Sequence, residues 1–262
     1  MCPDVKFLGI SLYYIGYILS YLAVVVYALL LRKKYSFSIL RSILMSILII
    51  PLANVIMGAL SFLDPVGGFN WVRAVLFIPA AVYIISFVMD TPFTKTMDFL
   101  APAAALNHGI AHFFCIFEGC CYGYPSQFGI WNEKQQATLF PIQTVESISI
   151  LLIFVFMIIY QKKKNYNTHG ISYAQHLLLF GFTRFIYEFF RDDTEIRWHL
   201  SVFQGYTIAE FVLGIIGIIL IAYFLKHKDI TEKHELTFRE DIGELTRIKM
   251  SIANKKASKK SK

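Results

Sequence analysis

The sequence predicts an all-α integral membrane protein, a bundle of about seven transmembrane helices. Its 262 residues are 56% hydrophobic and only 16% charged, whereas soluble domains are about 25% charged and about 45–50% apolar. The apolar residues are also gathered into long uncharged runs, each near the ~20 residues needed to cross ~30 Å of hydrocarbon. Such a surplus of apolar surface cannot be hidden in a soluble core, so we expect it to face lipid.

Seven apolar runs qualify as spans, in residues 7–31, 37–63, 72–88, 97–118, 141–160, 171–190 and 205–225. The first is too long for a signal-peptide core and is followed by Arg32-Lys33-Lys34 without a small-residue cleavage motif, so we expect it to be retained. The third is short, and the fourth and sixth carry ionisable groups. We therefore predict a transmembrane domain over residues 1–225 and a basic cytoplasmic tail over residues 226–262 that is disordered at its end.

The cations in the loops set the orientation. They follow spans one, three and five, as at Arg32, Lys95 and Lys162, and they are dense in the tail, whereas Lys134 is the one cation in residues 119–140. By the positive-inside rule, this predicts an outside N-terminus and a cytoplasmic C-terminus. The net charge of +7 comes mostly from the tail and favours contact with anionic lipid headgroups over nucleic-acid binding.

Polar residues of five predicted helices fall at a similar depth, in the outer third of the membrane. His112 is about six residues from the outer end of span four, and Glu146 is about five residues below the outer start of span five. Arg184, Glu210 and Asn54 lie at comparable depths on spans six, seven and two. Ionisable groups are costly in a bilayer and usually face the bundle interior. These depths therefore predict an outward-facing polar pocket.

Helical spacing places several of these polar residues on common helix faces. The sets are His108, His112 and Cys115 on span four, Gln143 and Glu146 on span five, and Arg184, Glu188 and Arg191 on span six. Arg184 and Glu188 taken alone could form an intrahelical ion pair that only ties helices together. The convergence of several helices favours a pocket.

The residue types in this pocket indicate lipid chemistry. A guanidinium such as that of Arg184 suits a phosphate or a carboxylate, because its planar fork donates two parallel hydrogen bonds. The anion available at that depth is a phospholipid headgroup. An imidazole can accept a proton at neutral pH, so the nearby His112 can take one from an attacking thiol or hydroxyl. Together these residues predict transfer of a lipid moiety at the outer leaflet.

Four ordered blocks of the sequence resemble prolipoprotein diacylglyceryl transferases. The first is Gly119-Cys120-Cys121-Tyr122-Gly123, preceded by His108-x-x-x-His112-x-x-Cys115; the others are residues 140–147 (FPIQTVES), 184–191 (RFIYEFFR) and 200–204 (LSVFQ). The seven-span topology with an outside N-terminus is also that of the family. The GCCYG form is typical of a shorter, divergent branch.

The resemblance implies a multi-pass enzyme of the bacterial plasma membrane that acts in lipoprotein biosynthesis. Such enzymes move the diacylglyceryl group of phosphatidylglycerol to the lipobox cysteine thiol of a prolipoprotein and release glycerol phosphate. The implied partners are this lipid and the prolipoprotein, with no cofactor and no metal. The polar pocket and the resemblance together predict the catalytic residues His112, Arg184 and Glu188. They also predict the substrate-binding residues His108, Gln143, Glu146, Arg191, Tyr122, Gln204 and Arg73.

Two family features are missing from this chain. His112 stands where the signature usually has an arginine, and residues 67–73, at the outer end of span three, lack the family's histidine. Arg73 or Asn70 would have to fill part of that space. These departures leave open a divergent or inactive relative that handles a phospholipid with another acceptor.

Two further alternatives are open. A transporter predicts polar residues that continue to the cytoplasmic half and a repeat between the halves of the chain, and the sequence shows neither. A zinc site from His112, Cys115, Cys120 and Cys121 is less favoured, because their spacing fits no familiar closed site. The simpler interpretation of these cysteines is as small apolar packing residues.

Overall fold

The fold is a membrane helical bundle, as the hydropathy pattern predicts. A computed structural model describes residues 6–59, 71–192, 196–197 and 200–226. In these residues, six helical segments are long and apolar enough to cross a membrane. The predicted all-α membrane class is therefore confirmed.

The helices of the described residues are α1 (Leu12–Leu31), α2 (Ile39–Ala59), α3 (Trp71–Met89), α4 (Phe93–Phe113), α5 (Cys115–Glu118), α6 (Ile142–Lys163), α7 (Ile171–Glu188) and α8 (Val202–Lys226). The same residues form three short antiparallel hairpins, one before α1 and two between helices. They are β1 (Lys6–Phe7) with β2 (Ile10–Ser11), β3 (Pro125–Asn132) with β4 (Ala137–Leu139), and β5 (Ile196–Arg197) with β6 (Leu200–Ser201). The six membrane-length segments are α1, α2, α3, α4 with α5, α6 and α8. Because α7 has 18 residues and is less apolar, the count of seven spans and their orientation stay predictions.

Two helices differ from the predicted spans. Helix α1 begins at Leu12 rather than residue 7, because residues 6–11 form a hairpin and the Ser11 hydroxyl caps the helix by accepting from the Tyr13 N–H at 3.3 Å. Helix α4 begins earlier than predicted, at Phe93 directly after Pro92, and stops at Phe113. The short α5 follows and ends at Gly119, whose φ of 67° is left-handed. Span four is thus two helices with a break at Phe114.

Some predicted features lie outside the described residues. These are the end of span two beyond Ala59, Asn70, and the basic tail after Lys226. The chain divides into two compact units, the first ending at Ile218 and the second beginning at Ile219. The described part of the second unit is the end of α8, where the Tyr223 and Phe224 rings meet edge-on at 5.8 Å.

Helix α4 lies at the centre of the first unit. Four alanines on it are completely enclosed: Ala101, Ala103, Ala104 and Ala105. Small side chains let neighbouring helices approach closely, which is how packing holds membrane helices together where lipid removes the hydrophobic driving force. Polar contacts add to this packing: the Ser147 hydroxyl donates to the Gly109 carbonyl at 2.5 Å, and the Asn107 amide donates to the Ser20 hydroxyl at 3.0 Å.

One end of the bundle is tied together by the Asp98 cluster, which we define as Asp98, Gln161, Gly170 and Ser172. The Asp98 carboxylate accepts from the backbone N–H groups of Gly170 at 2.8 Å and Ser172 at 3.2 Å. The Gln161 amide donates to the Asp98 carbonyl at 2.6 Å and to the Ser172 hydroxyl at 2.7 Å. The first backbone N–H groups of a helix have no acceptor within the helix. Asp98 of α4 provides acceptors for two such groups and thereby caps the N-terminus of α7.

Candidate active site

The opposite end of the bundle holds a buried charged network centred on Glu146, which begins the second turn of α6. Its Oε2 lies 2.6 Å from His112 Nε2 and 3.4 Å from Arg191 Nη1, and its Oε1 lies 2.9 Å from Arg184 Nη1. The Glu146 side chain is only 3% exposed. Residues from α4, α6, α7 and the segment after α7 therefore meet at one carboxylate. We call His112, Glu146, Arg184, Glu188 and Arg191 the Glu146 cluster.

Glu188 provides the second carboxylate of the cluster. It forms an ion pair with Arg184 on the same helix, and its Oε2 lies 3.9 Å from Arg191 Nε. The Ser201 hydroxyl donates to Glu188 Oε1 at 2.8 Å. The intrahelical pair that the spacing indicated is therefore present. Because Arg184 also reaches Glu146 on α6, the pair is one part of a larger network.

The charges of this network balance. Two guanidiniums face two carboxylates, so the sum is near zero while His112 is neutral and positive when it is protonated. Burying ionised groups is expensive unless each one is paired. An ionised side chain without a partner would strongly destabilise the bundle at this position. The ion pairs with Glu146 and Glu188 therefore keep Arg184 and Arg191 in place.

A close backbone contact brings Arg191 to the site. Gly123, the last residue of the GCCYG motif, forms an isolated antiparallel bridge with Arg191. A Cβ atom at Gly123 would lie 2.5 Å from the Phe190 carbonyl oxygen, which is closer than side chains tolerate. Glycine at this position therefore lets the loop after α5 lie against the segment after α7.

His108 of α4 contacts the start of α3, the helix that carries Arg73. The His108 ring stacks on Trp71 with ring centroids 4.5 Å apart, and it meets the His112 and Phe180 rings edge-on, each at 5.3 Å. Arg73 is buried on the first turn of α3, two residues after Trp71. His108 is therefore joined to the Glu146 cluster through His112.

Gln143 and Tyr122 line a small cleft. The cleft lies between α6 and the β3–β4 hairpin, and its lining includes Trp131 and Asn132. The Asn132 amide donates to the Gly119 carbonyl at 3.3 Å, which ties the hairpin to the loop after α5. Gln143 is buried at the wall of this cleft.

Gln204 takes part in a capping box at the start of α8. The Ser201 N–H donates to the Gln204 carboxamide oxygen at 2.9 Å, and the Gln204 N–H donates to the Ser201 hydroxyl at 3.1 Å. Its substrate-binding role stays a prediction, while capping is the contact that the structure describes. Sequence reasoning missed Ser201, although the S-x-x-Q spacing before an apolar run is a recognised helix-start signal.

The cysteines of the signature gather beside His112. A ring nitrogen of His112 and the sulfur atoms of Cys115 and Cys121 all lie within 4.8 Å of one another. Cys115, Cys120 and Cys121 are free thiols. Cys115 begins α5 rather than continuing α4, because the two helices meet at Phe114. The break nevertheless leaves Cys115 close to His112.

Comparison with known proteins identifies relatives of this chain. The family model described as prolipoprotein diacylglyceryl transferase matches residues 4–221. A phosphatidylglycerol–prolipoprotein diacylglyceryl transferase of Finegoldia magna is 27% identical over 135 residues, 51% of this chain and 54% of that protein. A second, numbered 2, from Clostridium perfringens is 28% identical over 103 residues, 37% of this chain and 40% of that protein. The matches thus span about half or less of these curated relatives.

Proposed function

Because the chain belongs to the prolipoprotein diacylglyceryl transferase family, we propose that it transfers the diacylglyceryl group of phosphatidylglycerol to the lipobox cysteine thiol of a prolipoprotein. Members of this family are transferases of the bacterial plasma membrane, and the apolar helices of this chain make it a multi-pass membrane protein. The observation that supports the finer proposal is the Glu146 cluster, where two arginines, two carboxylates and a histidine meet in the bundle interior.

The proposed reaction is a substitution at carbon. The thiol sulfur attacks the carbon of the diacylglyceryl group that is bonded to the phosphate oxygen. A C–S bond forms, and the bond from that carbon to the phosphate oxygen breaks. The phosphate oxygen keeps the electron pair, so glycerol phosphate leaves with one more negative charge than the phosphodiester had. The thiol proton passes to a base. Catalysis therefore needs cations at the phosphate and a proton acceptor at the thiol.

The two arginines meet the first need. Arg184 would bind the lipid phosphate, with Glu188 and Arg191 orienting it. Both guanidiniums are held by Glu146 and Glu188 before substrate arrives. Donors that are fixed in advance stabilise developing charge without reorganisation, and arginine offers further N–H groups beyond those facing a carboxylate.

His112 would meet the second need. Its Nε2 faces Glu146 at 2.6 Å, so Nδ1 is the nitrogen able to accept the thiol proton. A carboxylate behind a histidine fixes the ring orientation and stabilises the imidazolium that forms. The substitution of histidine for the signature arginine thus gives the site a base.

His108 would take the place of the family's histidine that is missing from span three. Its ring stacks on Trp71, the first residue of α3. An imidazole is therefore present beside the start of α3, although α4 supplies it. We propose that His108 and Arg73 line the lipid-binding side of the site and that Gln143 and Tyr122 contact the acceptor peptide from the cleft beneath the hairpin.

The test is thiol-dependent release of glycerol phosphate. The purified protein is reconstituted into vesicles that contain phosphatidylglycerol labelled in its glycerol headgroup, and a lipobox peptide or its Cys→Ser analogue is added. We expect release with the cysteine peptide, none with the serine peptide, and loss of release in Arg184→Ala. Arg41→Ala removes an exposed arginine of α2 and serves as the matched control. Release with neither peptide would contradict the proposal, and release that requires a different acceptor would favour the divergent-relative alternative.

A further inference from the structure

Three metal-ligand side chains converge next to the Glu146 cluster. His112 lies in the last turn of α4, Cys115 begins α5, and Cys121 lies in the loop that follows. One ligand atom from each lies within 4.8 Å of the other two. Imidazole nitrogen and thiolate sulfur are the ligands that Zn²⁺ prefers.

Local backbone geometry brings the two sulfur atoms to the histidine. Phe114 joins α4 to α5 with a φ of −78° and a ψ of −8°, and α5 ends at Gly119, whose φ of 67° is left-handed. Cys121 itself has a φ of 59°, in the left-handed region that side chains other than glycine rarely adopt. The neighbouring Cys120 is not part of this set of mutually close ligand atoms, and its thiol donates to the Cys115 carbonyl oxygen at 3.7 Å.

The histidine is already arranged as metal-binding histidines are. Its Nε2 faces the Glu146 carboxylate at 2.6 Å, which leaves Nδ1 as the nitrogen available to a metal. Metal-ligating histidines almost always donate their second ring N–H to a carboxylate or carbonyl, which fixes the tautomer and raises the basicity of the ligating nitrogen. Glu146 occupies that supporting position.

We infer that His112, Cys115 and Cys121 bind a Zn²⁺ ion with an open fourth position, and that this ion binds the acceptor thiol of the transfer reaction. The use of the fourth position rests on the function proposed above. The spacing of these residues matches no familiar closed four-ligand site. A set of two cysteines and one histidine with an open position is, however, a known form of catalytic zinc site.

The ion would change how the thiol is activated. A thiol that coordinates a metal loses its proton outright, so the lipobox sulfur would attack as a zinc-bound thiolate and its proton would pass to solvent. After the C–S bond forms, the product thioether is a weaker ligand than a thiolate and can leave. In this arrangement the ion replaces His112 as the group that activates the thiol, and Nδ1 of His112 serves as a ligand of the ion instead of as the base.

Zinc content tests the site without reference to activity. The full chain is purified, stripped with a chelator, titrated with Zn²⁺ alone, and analysed for bound metal. We expect one Zn²⁺ per chain, retained in Cys120→Ser and reduced to background in Cys115→Ser and Cys121→Ser. Cys120→Ser is the matched control, because it removes an adjacent thiol from the same loop. Absence of bound Zn²⁺, equal loss in all three variants, or a disulfide between Cys115 and Cys121 in the purified protein would overturn the inference.

Cobalt substitution tests the open position. Co²⁺ in the site should give a thiolate-to-metal charge-transfer band and the visible bands of a tetrahedral ion. Adding the lipobox peptide should strengthen the charge-transfer band, whereas the Cys→Ser peptide should leave it unchanged. Equal spectra with both peptides would overturn the role of the ion in thiol binding.

Activity then separates this inference from the proposed function. Stripping zinc should lower glycerol phosphate release about 100-fold or more, and adding Zn²⁺ should restore it. Full release from the stripped protein would overturn the inference and leave the transferase function in place. A site that binds Zn²⁺ and the peptide thiol without any release would support the metal site and contradict the transferase function.

Discussion

Two buried carboxylates, one at each end of the bundle formed by α4, α6 and α7, have very different partners. Asp98 lies near the start of α4, and its carboxylate accepts from two backbone N–H groups at the start of α7. Glu146 lies at the other end, where His112, Arg184 and Arg191 surround it. Along α4, Asp98 and His112 are about 21 Å apart at a rise of about 1.5 Å per residue. At one end of the bundle the carboxylate caps a helix, and at the other end it is paired with cationic side chains and a histidine.

Whether a buried carboxylate has a structural or a functional role therefore has to be judged from its partners. Backbone N–H groups at a helix start need an acceptor in any fold, so Asp98 is explained by architecture alone. Two buried arginines are a different matter, since apolar residues would pack as well without the cost of desolvation. Polar residues do reach both ends of the bundle, as a transporter would require, but those of the Asp98 cluster are engaged in capping α7.

The largest effect should come from Arg184→Lys, which keeps the charge but removes the planar fork. We expect release of glycerol phosphate to fall about 100- to 1,000-fold, because a lysine cannot donate two parallel hydrogen bonds to a phosphate. The measurement is the release assay in phosphatidylglycerol vesicles, with retention on gel filtration as the check on folding. Activity within a few-fold of wild type would place phosphate binding elsewhere.

Glu146→Gln should have a somewhat smaller effect on release. The amide keeps the shape of the side chain, but it no longer balances the guanidiniums or orients the His112 ring. We expect about a 100-fold loss of transfer, measured as diacylglyceryl-modified peptide. Because the paired charges are broken, the midpoint of thermal unfolding should fall as well. A variant that loses stability and keeps its turnover would reduce the cluster to a structural tie.

Trp71→Leu should cost about 10-fold in transfer, since it removes the ring on which His108 stacks and loosens the imidazole. The expected loss lies in kcat/KM for the lipid, measured by varying the phosphatidylglycerol content of the vesicles. Tyr83→Leu is the control, because Tyr83 is an exposed aromatic residue of the same helix. If both variants lose activity equally, the Trp71–His108 stack has no special role.

Asp98→Asn should have the smallest effect on transfer and a clear effect on stability. Losing one acceptor of the α7 cap costs about 1–2 kcal/mol, which should lower the midpoint of thermal unfolding by a few degrees. Initial rates of release well below that temperature should match wild type. A large loss of activity in the folded variant would mean that the two ends of the bundle are coupled.

Local patterns predicted the helices well and the contacts between them unevenly. Membrane spans are predicted from composition within one segment, and all eight described helices overlap the seven predicted spans. Counting residues from predicted helix ends placed His112, Glu146 and Arg184 at similar depth, and in the structure they meet at one carboxylate.

Features that depend on tertiary contact had weaker signals. Nothing near Trp71 indicates that it will stack on His108, and nothing near Asp98 indicates that it will cap a helix 72 residues further along the chain. The break at Phe114 has no proline or glycine at its position. The capping box of Ser201 and Gln204 is the exception, because its spacing is visible in the sequence.

The central claim is that the Glu146 end of the bundle carries out chemistry and the Asp98 end does not. The most direct test compares Glu146→Gln with Asp98→Asn in one experiment, in phosphatidylglycerol vesicles with a lipobox peptide, by mass spectrometry of the peptide. We predict a diacylglyceryl mass addition on the cysteine for wild type and Asp98→Asn, and almost none for Glu146→Gln. Equal modification by the two variants, or none by the wild-type protein, would contradict the account.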